Sequence, residues 1–153
     1  MTMHWDPEGL IARLNSYAPY AGAGVELTYI ADDASEVRVR MRLVPSNTNV
    51  VGTHFGGSLY AMVDPHLMLL LMRRLGGEYV VWDRAATIEF LRPGRGTVFA
   101  TVRVTEEEVE AIREATASGD KHHPQWTLQV LDEEGEVVAT VHKTLYVRRK
   151  RDV

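Results

Sequence analysis

The chain has 153 residues, 45% of them hydrophobic, and a formal net charge of −4, with a pI near 5.9. That length suits one domain (residues 1–153) with a sizeable core, and the acidic balance argues against generic binding to nucleic-acid phosphates. The absence of cysteine excludes disulfide scaffolds, zinc ribbons and cysteine nucleophiles.

Along the chain, Asp6-Pro7-Glu8 predicts an N-cap, a proline at the first helical position and an early acid. Leu10, Ile11 and Leu14 follow at helical spacing, which predicts a short docking helix over 7–17. Residues 25–30 read as extended. From Glu36 to Val44, Val37, Val39, Met41 and Leu43 alternate with Glu36, Arg38, Arg40 and Arg42, the pattern of a half-buried strand. A glycine-containing segment, Gly52 to Gly57, leads into a stretch rich in Leu, Met and Ala. From Leu67 to Met72 that stretch is apolar on every side, which predicts a long buried helix over about 57–75. Arg73, Arg74 and then Gly76-Gly77 supply a basic last turn and a stop.

Beyond the helix, 79–91 and 96–104 read as strands joined by Arg92-Pro93-Gly94-Arg95. Thr105 and Glu108 form a capping box that opens a short helix carrying Val109 and Ile112 on one side, closed by Ser118-Gly119. Residues 125–131 and 136–147 then predict a hairpin across Asp132–Gly135, and Arg148 to Arg151 read as a solvated tail. The order is a helix, two strands, one buried helix and four strands. It places the chain in the α+β class, with an antiparallel sheet wrapped around one long central helix. Residues 1–9 hold no apolar run and Leu67 to Met72 is too short to span a bilayer, so a cytoplasmic protein without signal peptide or membrane partner is expected.

The run Asn49-x-x-x-x-His54-Phe55-Gly56-Gly57-Ser58-Leu59-Tyr60-Ala61-Met62-Val63-Asp64 resembles the signature of hot-dog-fold thioesterases, of the phenylacetate-pathway and mammalian thioesterase-superfamily type. Those proteins carry Gly-Gly at the start of the central helix and an acid eight residues after the first glycine, as Gly56 and Asp64 stand here. Asn49 holds the place of a frequent family Asn, and Thr87 to Gly94 resembles the family's strand and turn after the helix. The likeness covers about 25–147, and the fuller wording from His54 to Met62 resembles an uncharacterised bacterial subgroup. Two positions depart from the pattern. Phe55 stands where the family usually has His, and Asp83 where it has Ser or Thr.

The resemblance implies a hot-dog fold and hydrolysis of an acyl thioester, with coenzyme A entering only as part of the substrate and no other cofactor. Unpaired N–H groups of Gly56 and Gly57 at a helix start could hold a developing oxyanion, or the pair could be an ordinary turn. Asp64 could attack the thioester or activate water; equally, Asp64-Pro65 could be an N-cap and the first residue of a helix. In the catalytic case Pro65 kinks a helix already begun near Gly57. Asn49 and His54 are expected as positioning groups, His54 either polarising the carbonyl or holding the loop. Phe55 and the helix face of Leu59, Met62 and Val63 are expected along the acyl slot. Arg92, with Arg95, is a candidate for coenzyme A phosphates or a plain turn residue. Asp83 is open between a charge paired with Arg84 and a second carboxylate orienting water near Asp64. His66 is expected to be structural and His122-His123 exposed in a loop. No ligand spacing for a metal occurs.

The family's site is built across a dimer interface, which answers a geometric difficulty. Eight residues of helix separate Gly56 from Asp64 by about 12 Å, too far to act on one carbonyl within one chain. A homodimer is therefore expected, with a dimer of dimers left open. A non-catalytic acyl-binding dimer is the alternative, since fold does not fix function. A hydratase or dehydratase of acyl thioesters is a weaker one, because the gap from His54 to Asp64 fits it poorly.

Overall fold

In the computed structural model, which describes residues 5–151, strand alternation translates directly into a buried and an exposed sheet face. The elements are α1 (Pro7–Ser16), α2 (Ala18–Ala23), β1 (Val25–Ile30), β2 (Glu36–Met41), a 3-10 turn (Pro45–Asn47), α3 (Gly56–Ala61) and α4 (His66–Leu75). They continue with β3 (Tyr79–Phe90), β4 (Val98–Arg103), α5 (Glu106–Ala115), β5 (Lys121–His122), β6 (Gln125–Leu131) and β7 (Val137–Arg149). β2 buries Val37, Val39 and Met41, and β7 buries Ala139, Val141, Leu145 and Val147. All strand pairs are antiparallel, in the order β1-β2-β4-β6-β7-β3, with the two-residue β5 added to β7. The helical run from Gly56 to Leu75 packs its apolar side chains, among them Leu59, Met62, Val63, Leu67, Leu70 and Leu71, into the core enclosed by this sheet. This is the hot-dog architecture.

The central helix is not continuous. Between α3 and α4 the N–H groups of Met62, Val63 and Asp64 reach back to Ser58 and Tyr60 at 3.0–3.2 Å. The regular ladder resumes only when Leu69 bonds Pro65. Pro65 has no N–H to give and its ring crowds the preceding turn, so the run bends there. Met62 and Pro65 keep right-handed helical angles, so the run kinks without ending. Gly76, at φ +84, stops α4 with its N–H on Met72.

Several local expectations differ. α2 was not expected: its Ala-Pro-Tyr-Ala-Gly-Ala sequence has weak helical pattern, and it is held by Tyr20, 2% exposed. The end of the chain is no free tail. Arg148 and Arg149 belong to β7, paired with Val80 and Tyr79 of β3, and the Lys150 N–H bonds Glu78. His122 lies in β5, and both it and His123 are half-buried. Among the described residues, no helix is long and apolar enough to cross a membrane.

The two sheet edges differ. At β1 the side chain of Asn15, on α1, covers the edge: its amide donates to the Leu27 carbonyl at 3.1 Å and accepts the Leu27 N–H at 2.7 Å. At the other end β3 presents twelve residues with nothing beyond them in the sheet, among them exposed Trp82 and Phe90.

His66 is the polar anchor of the core. Its Nε2 lies 2.7 Å from the Tyr20 hydroxyl and 3.1 Å from the Met62 carbonyl, at 1% exposure. Burial lowers its pKa to about 4, outweighing the opposing pull of the Met62 carbonyl and Asp64. Unfolded, His66 takes a proton near its ordinary value of 6.5; folded, it resists until about 4. Stability therefore falls as pH drops through that window, by up to about 3 kcal/mol from this residue. Urea denaturation at pH 7 and pH 4.5 should show a clearly smaller acid loss in His66→Gln than in wild type. Equal losses in the two would sink this assignment.

Candidate active site

The segment before α3 is fastened from inside. Asn47, 2% exposed, donates to the carbonyls of Ala23 (3.0 Å) and Arg42 (2.8 Å) and accepts the Val44 N–H (2.9 Å). Its own carbonyl takes the N–H of Phe55 at 2.8 Å. Asn49 works in the same way two residues on. Its Oδ1 accepts the N–H groups of Val51 and Thr53 at 3.1 Å, and its Nδ2 donates to Thr53 Oγ1 at 2.9 Å. Its amide is thus spent on shaping the loop, and it can position the site without touching a substrate. The sequence reading singled out Asn49 and missed Asn47, which a polar residue at the end of a strand and before a tight turn could have suggested.

His54 is 3% exposed and ties this loop to the β3–β4 turn. Its backbone N–H bonds Gly94 at 3.0 Å, and its Nε2 lies 2.8 Å from the Gly96 carbonyl. A carbonyl only accepts, so Nε2 carries the proton and donates. Burial lowers the ring's pKa against that hydrogen bond, keeping it neutral. The one N–H with which His54 could polarise a substrate carbonyl is therefore engaged with Gly96.

At the start of α3 the N-cap is Phe55, whose side chain has no oxygen to cap the helix. Ser58 and Leu59 bond the Phe55 carbonyl. The Gly56 and Gly57 N–H groups, in the first turn, have no intrahelical acceptor. Two aromatic rings close around them: a Cβ on Gly56 would come within 3.0 Å of Phe90, and one on Gly57 within 2.7 Å of Phe55. Both rings are more than half exposed. A pocket of about 380 Å³ opens beside them, lined by Asn49, His54, Gly56, Leu59, Phe90 and Arg92 among others. Arg92 stands there 3.2 Å from Glu136. Met62 and Val63 do not line it. Both have 0% exposure and point into the core, because their spacing on the helix serves packing against the sheet.

Asp64 sits in the kink between α3 and α4, its side chain 48% exposed. It is not a helix cap: the residue before α4 is Pro65, and no side chain caps that helix. Its partner is Lys143, whose Nζ lies 2.5 Å from the Asp64 carbonyl oxygen and 3.4 Å from its carboxylate. The same Nζ is 2.8 Å from Asp83 Oδ1, an ion pair whose direction falls outside hydrogen-bond geometry. Asp83 is therefore not paired with its neighbour Arg84, which points to the other sheet face and contacts His123. Two carboxylates from β3 and the helix kink share one ammonium with no exposed surface. Tyr60 completes the group: Lys143 Nζ is 5.6 Å from its ring centre. Burial and then the Asp64 carboxylate hold its hydroxyl well above the ordinary pKa. A recess of about 380 Å³ runs along β3 here, lined by Tyr60, Asp83, Ala86 and Ile88 among others.

Lys143 is the second residue that sequence reading missed. The signal was present: Val141, Lys143, Leu145 and Val147 occupy the inward phase of β7, so a lysine stands where the alternation demands an apolar side chain. Among the described residues no cluster of three or more His, Asp or Glu is placed to hold a metal.

No curated protein matches this sequence. Solved structures do. PA5026 from Pseudomonas aeruginosa, described as a protein of unknown function and probable thioesterase, superposes with a TM-score of 0.83 at 22% identity, over 94% of this chain and 97% of its own. The thioesterase HI1161 from Haemophilus influenzae gives 0.69 at 17% identity, over 98% and 95%. A mutant form of the thioesterase PA1618 from Pseudomonas aeruginosa gives 0.69 at 14%, over 96% of each. These likenesses establish the hot-dog fold. A family profile matches residues 10–147, nearly the whole core and both halves of the candidate site, and the chain belongs to that family, described as a domain of unknown function, DUF4442.

Proposed function

We propose that the protein hydrolyses an acyl thioester to a free acid and a thiol, as a homodimer with its sites across the interface. The observation that carries this reading is the inner face of β3. On one open strand edge it borders the glycine pocket at Phe90 and the Asp64 cluster at Asp83. A second copy pairing antiparallel along that edge would bring the Phe90 end of each chain to the Asp83 end of the other. The uncapped N–H groups of Gly56 and Gly57 would then face the partner chain's acid, and the separation along one helix ceases to matter. The names of PA5026 and HI1161 as thioesterases lend support at the level of a shared fold.

In this reading the acyl group lies between Phe55, Phe90 and Leu59. Asp64 takes a proton from water as the water oxygen attacks the carbonyl carbon, or attacks that carbon itself to give a mixed anhydride that water then hydrolyses, that water supplying the proton. Negative charge gathering on the carbonyl oxygen meets the two glycine N–H groups. The C–S bond then breaks and the thiolate takes up the proton. Asn49 and His54 hold the loop that aims the glycines. Arg92, at the pocket wall, can exchange Glu136 for a phosphate of coenzyme A. Asp83 stands beside the reacting acid, where it would meet the substrate or its water. A binding-only dimer is the second reading, favoured by the sharing of the Asp64 carboxylate with a buried ammonium, as in structural ion pairs.

Thiol release from short, long and aromatic acyl-CoA substrates tests this directly. Asp64→Asn should lower turnover by about 10²-fold or more with an unchanged circular dichroism spectrum. Binding by the wild type with release from none of the panel would establish the binding-only dimer. Sedimentation equilibrium should give twice the 17.2 kDa of one chain. An active monomer would eliminate the two-chain site.

A further inference from the structure

Among the described residues, Lys143 is the largest fully buried side chain that carries a charge, and nothing in the proposed reaction uses it. An isolated ammonium in an apolar interior costs several kcal/mol, so a lysine retained there is held by partners. Its N–H donors meet two acceptors, the Asp64 carbonyl and the Asp64 carboxylate, and Asp83 stands beside the ammonium as an ion-pair partner. The shortest contact, 2.5 Å, goes to the main chain of the kink, and the longest, 3.4 Å, to the carboxylate of Asp64. Asp83, 27% exposed, takes the tighter ion pair, and Asp64, held more loosely, stays half-exposed. The arrangement is thus unequal in a useful sense. One acid neutralises the lysine while the other is steered by it.

We propose that Lys143 is a positioning residue for the reaction at Asp64, fixing the kink of the central helix through the Asp64 carbonyl and holding that carboxylate in place at the half-exposed edge of the cluster, while Asp83 supplies the counter-charge. This rests on the reading of Asp64 as the reacting acid. The charged and titratable groups facing Asp64 are Tyr60 of α3, His66 of α4, Tyr20 of α2, Asp83 of β3 and Lys143 of β7. Lys143 is the one of these that forms an ion pair with Asp64; burial lowers the pKa of His66 to about 4, and both tyrosine hydroxyls hold their protons. When an acyl chain covers the site and displaces water, this ammonium is what favours the charged carboxylate.

The test compares wild type, Lys143→Met, the double variant Lys143→Met with Asp83→Asn, and Asp64→Asn on the acyl-CoA panel, as full chains. Methionine keeps much of the lysine's length without its charge. Lys143→Met should lower kcat by about 10- to 100-fold, the scale of a reacting group moved by an ångström. KM should stay within about threefold, because substrate is not held by this residue, and the acid limb of kcat against pH should move to higher pH. A merely structural lysine would leave kcat unchanged in a variant that folds. If Lys143→Met loses its cooperative unfolding transition, the double variant, which removes the uncompensated carboxylate, decides: a restored fold with low kcat and a shifted limb supports the proposal. Wild-type kcat and pH profile in a folded variant, with Asp64→Asn inactive, would overturn the role of Lys143 and leave the thioesterase reading standing. An active Asp64→Asn would overturn that reading and this one with it.

Discussion

The central helix has one broad apolar face to bury, while Met72 and Asp64 stay within reach of water, and the need to cover that face organises the chain. From Leu59 to Leu75 the run buries leucine, methionine and valine at nearly every core-facing turn. Burial of each such side chain contributes about 1.5–3 kcal/mol relative to exposure, so the sheet must enclose the run. Six lanes of antiparallel strand can wrap it only by curling, and a curled open sheet ends in two edges. One edge is covered by α1. The other, β3, runs beside the candidate site, so the requirement that hides the helix also leaves an open strand next to the site's residues.

Polar groups survive inside this core only where they are bound. Asn47 is fixed by three backbone groups, His66 meets Tyr20 and Met62, and Lys143 meets two aspartates. Each links elements far apart in the chain: α2 to the central helix, β7 to the kink, the end of β2 to the loop before α3. The polar core is therefore a set of cross-ties, and the kink at Pro65 lies between two of them. A break in a helix ladder leaves backbone groups to be satisfied. Here Lys143 and His66 take carbonyls on either side of the break, those of Asp64 and Met62.

What the sequence made legible was local. The capping box of Thr105 and Glu108 forms as read, with Glu108 N–H on Thr105 Oγ1 at 3.2 Å and Thr105 N–H on the Glu108 carboxylate at 2.8 Å. The alternation of β2, the glycine stop at Gly76 and the hairpin of β6 and β7 depend on neighbours a few residues away, and they too stand as expected. Lys143 escaped because its meaning depends on Asp64, 79 residues earlier in the chain. Asp83 stayed open between Arg84 and Asp64 for the same reason: adjacent residues on a strand point to opposite faces, so sequence proximity could not decide, and the fold sets Asp83 with Asp64 around Lys143. Met62 and Val63 read as slot-lining because helical period alone does not say which side faces the sheet. The glycine pair could be placed, but the rings of Phe55 and Phe90 that shield it come together only in the folded chain.

The side chain of Asn15 has a meaning for assembly that extends past the single chain. By occupying both backbone groups of Leu27, it withholds them from any further strand. A protein with two adhesive edges could add copies without limit, and the product would be a ribbon. In the proposed dimer, with β1 blocked at Leu27, pairing along β3 would close on itself after two copies, and one amide side chain on a short helix would separate a discrete oligomer from an open-ended aggregate.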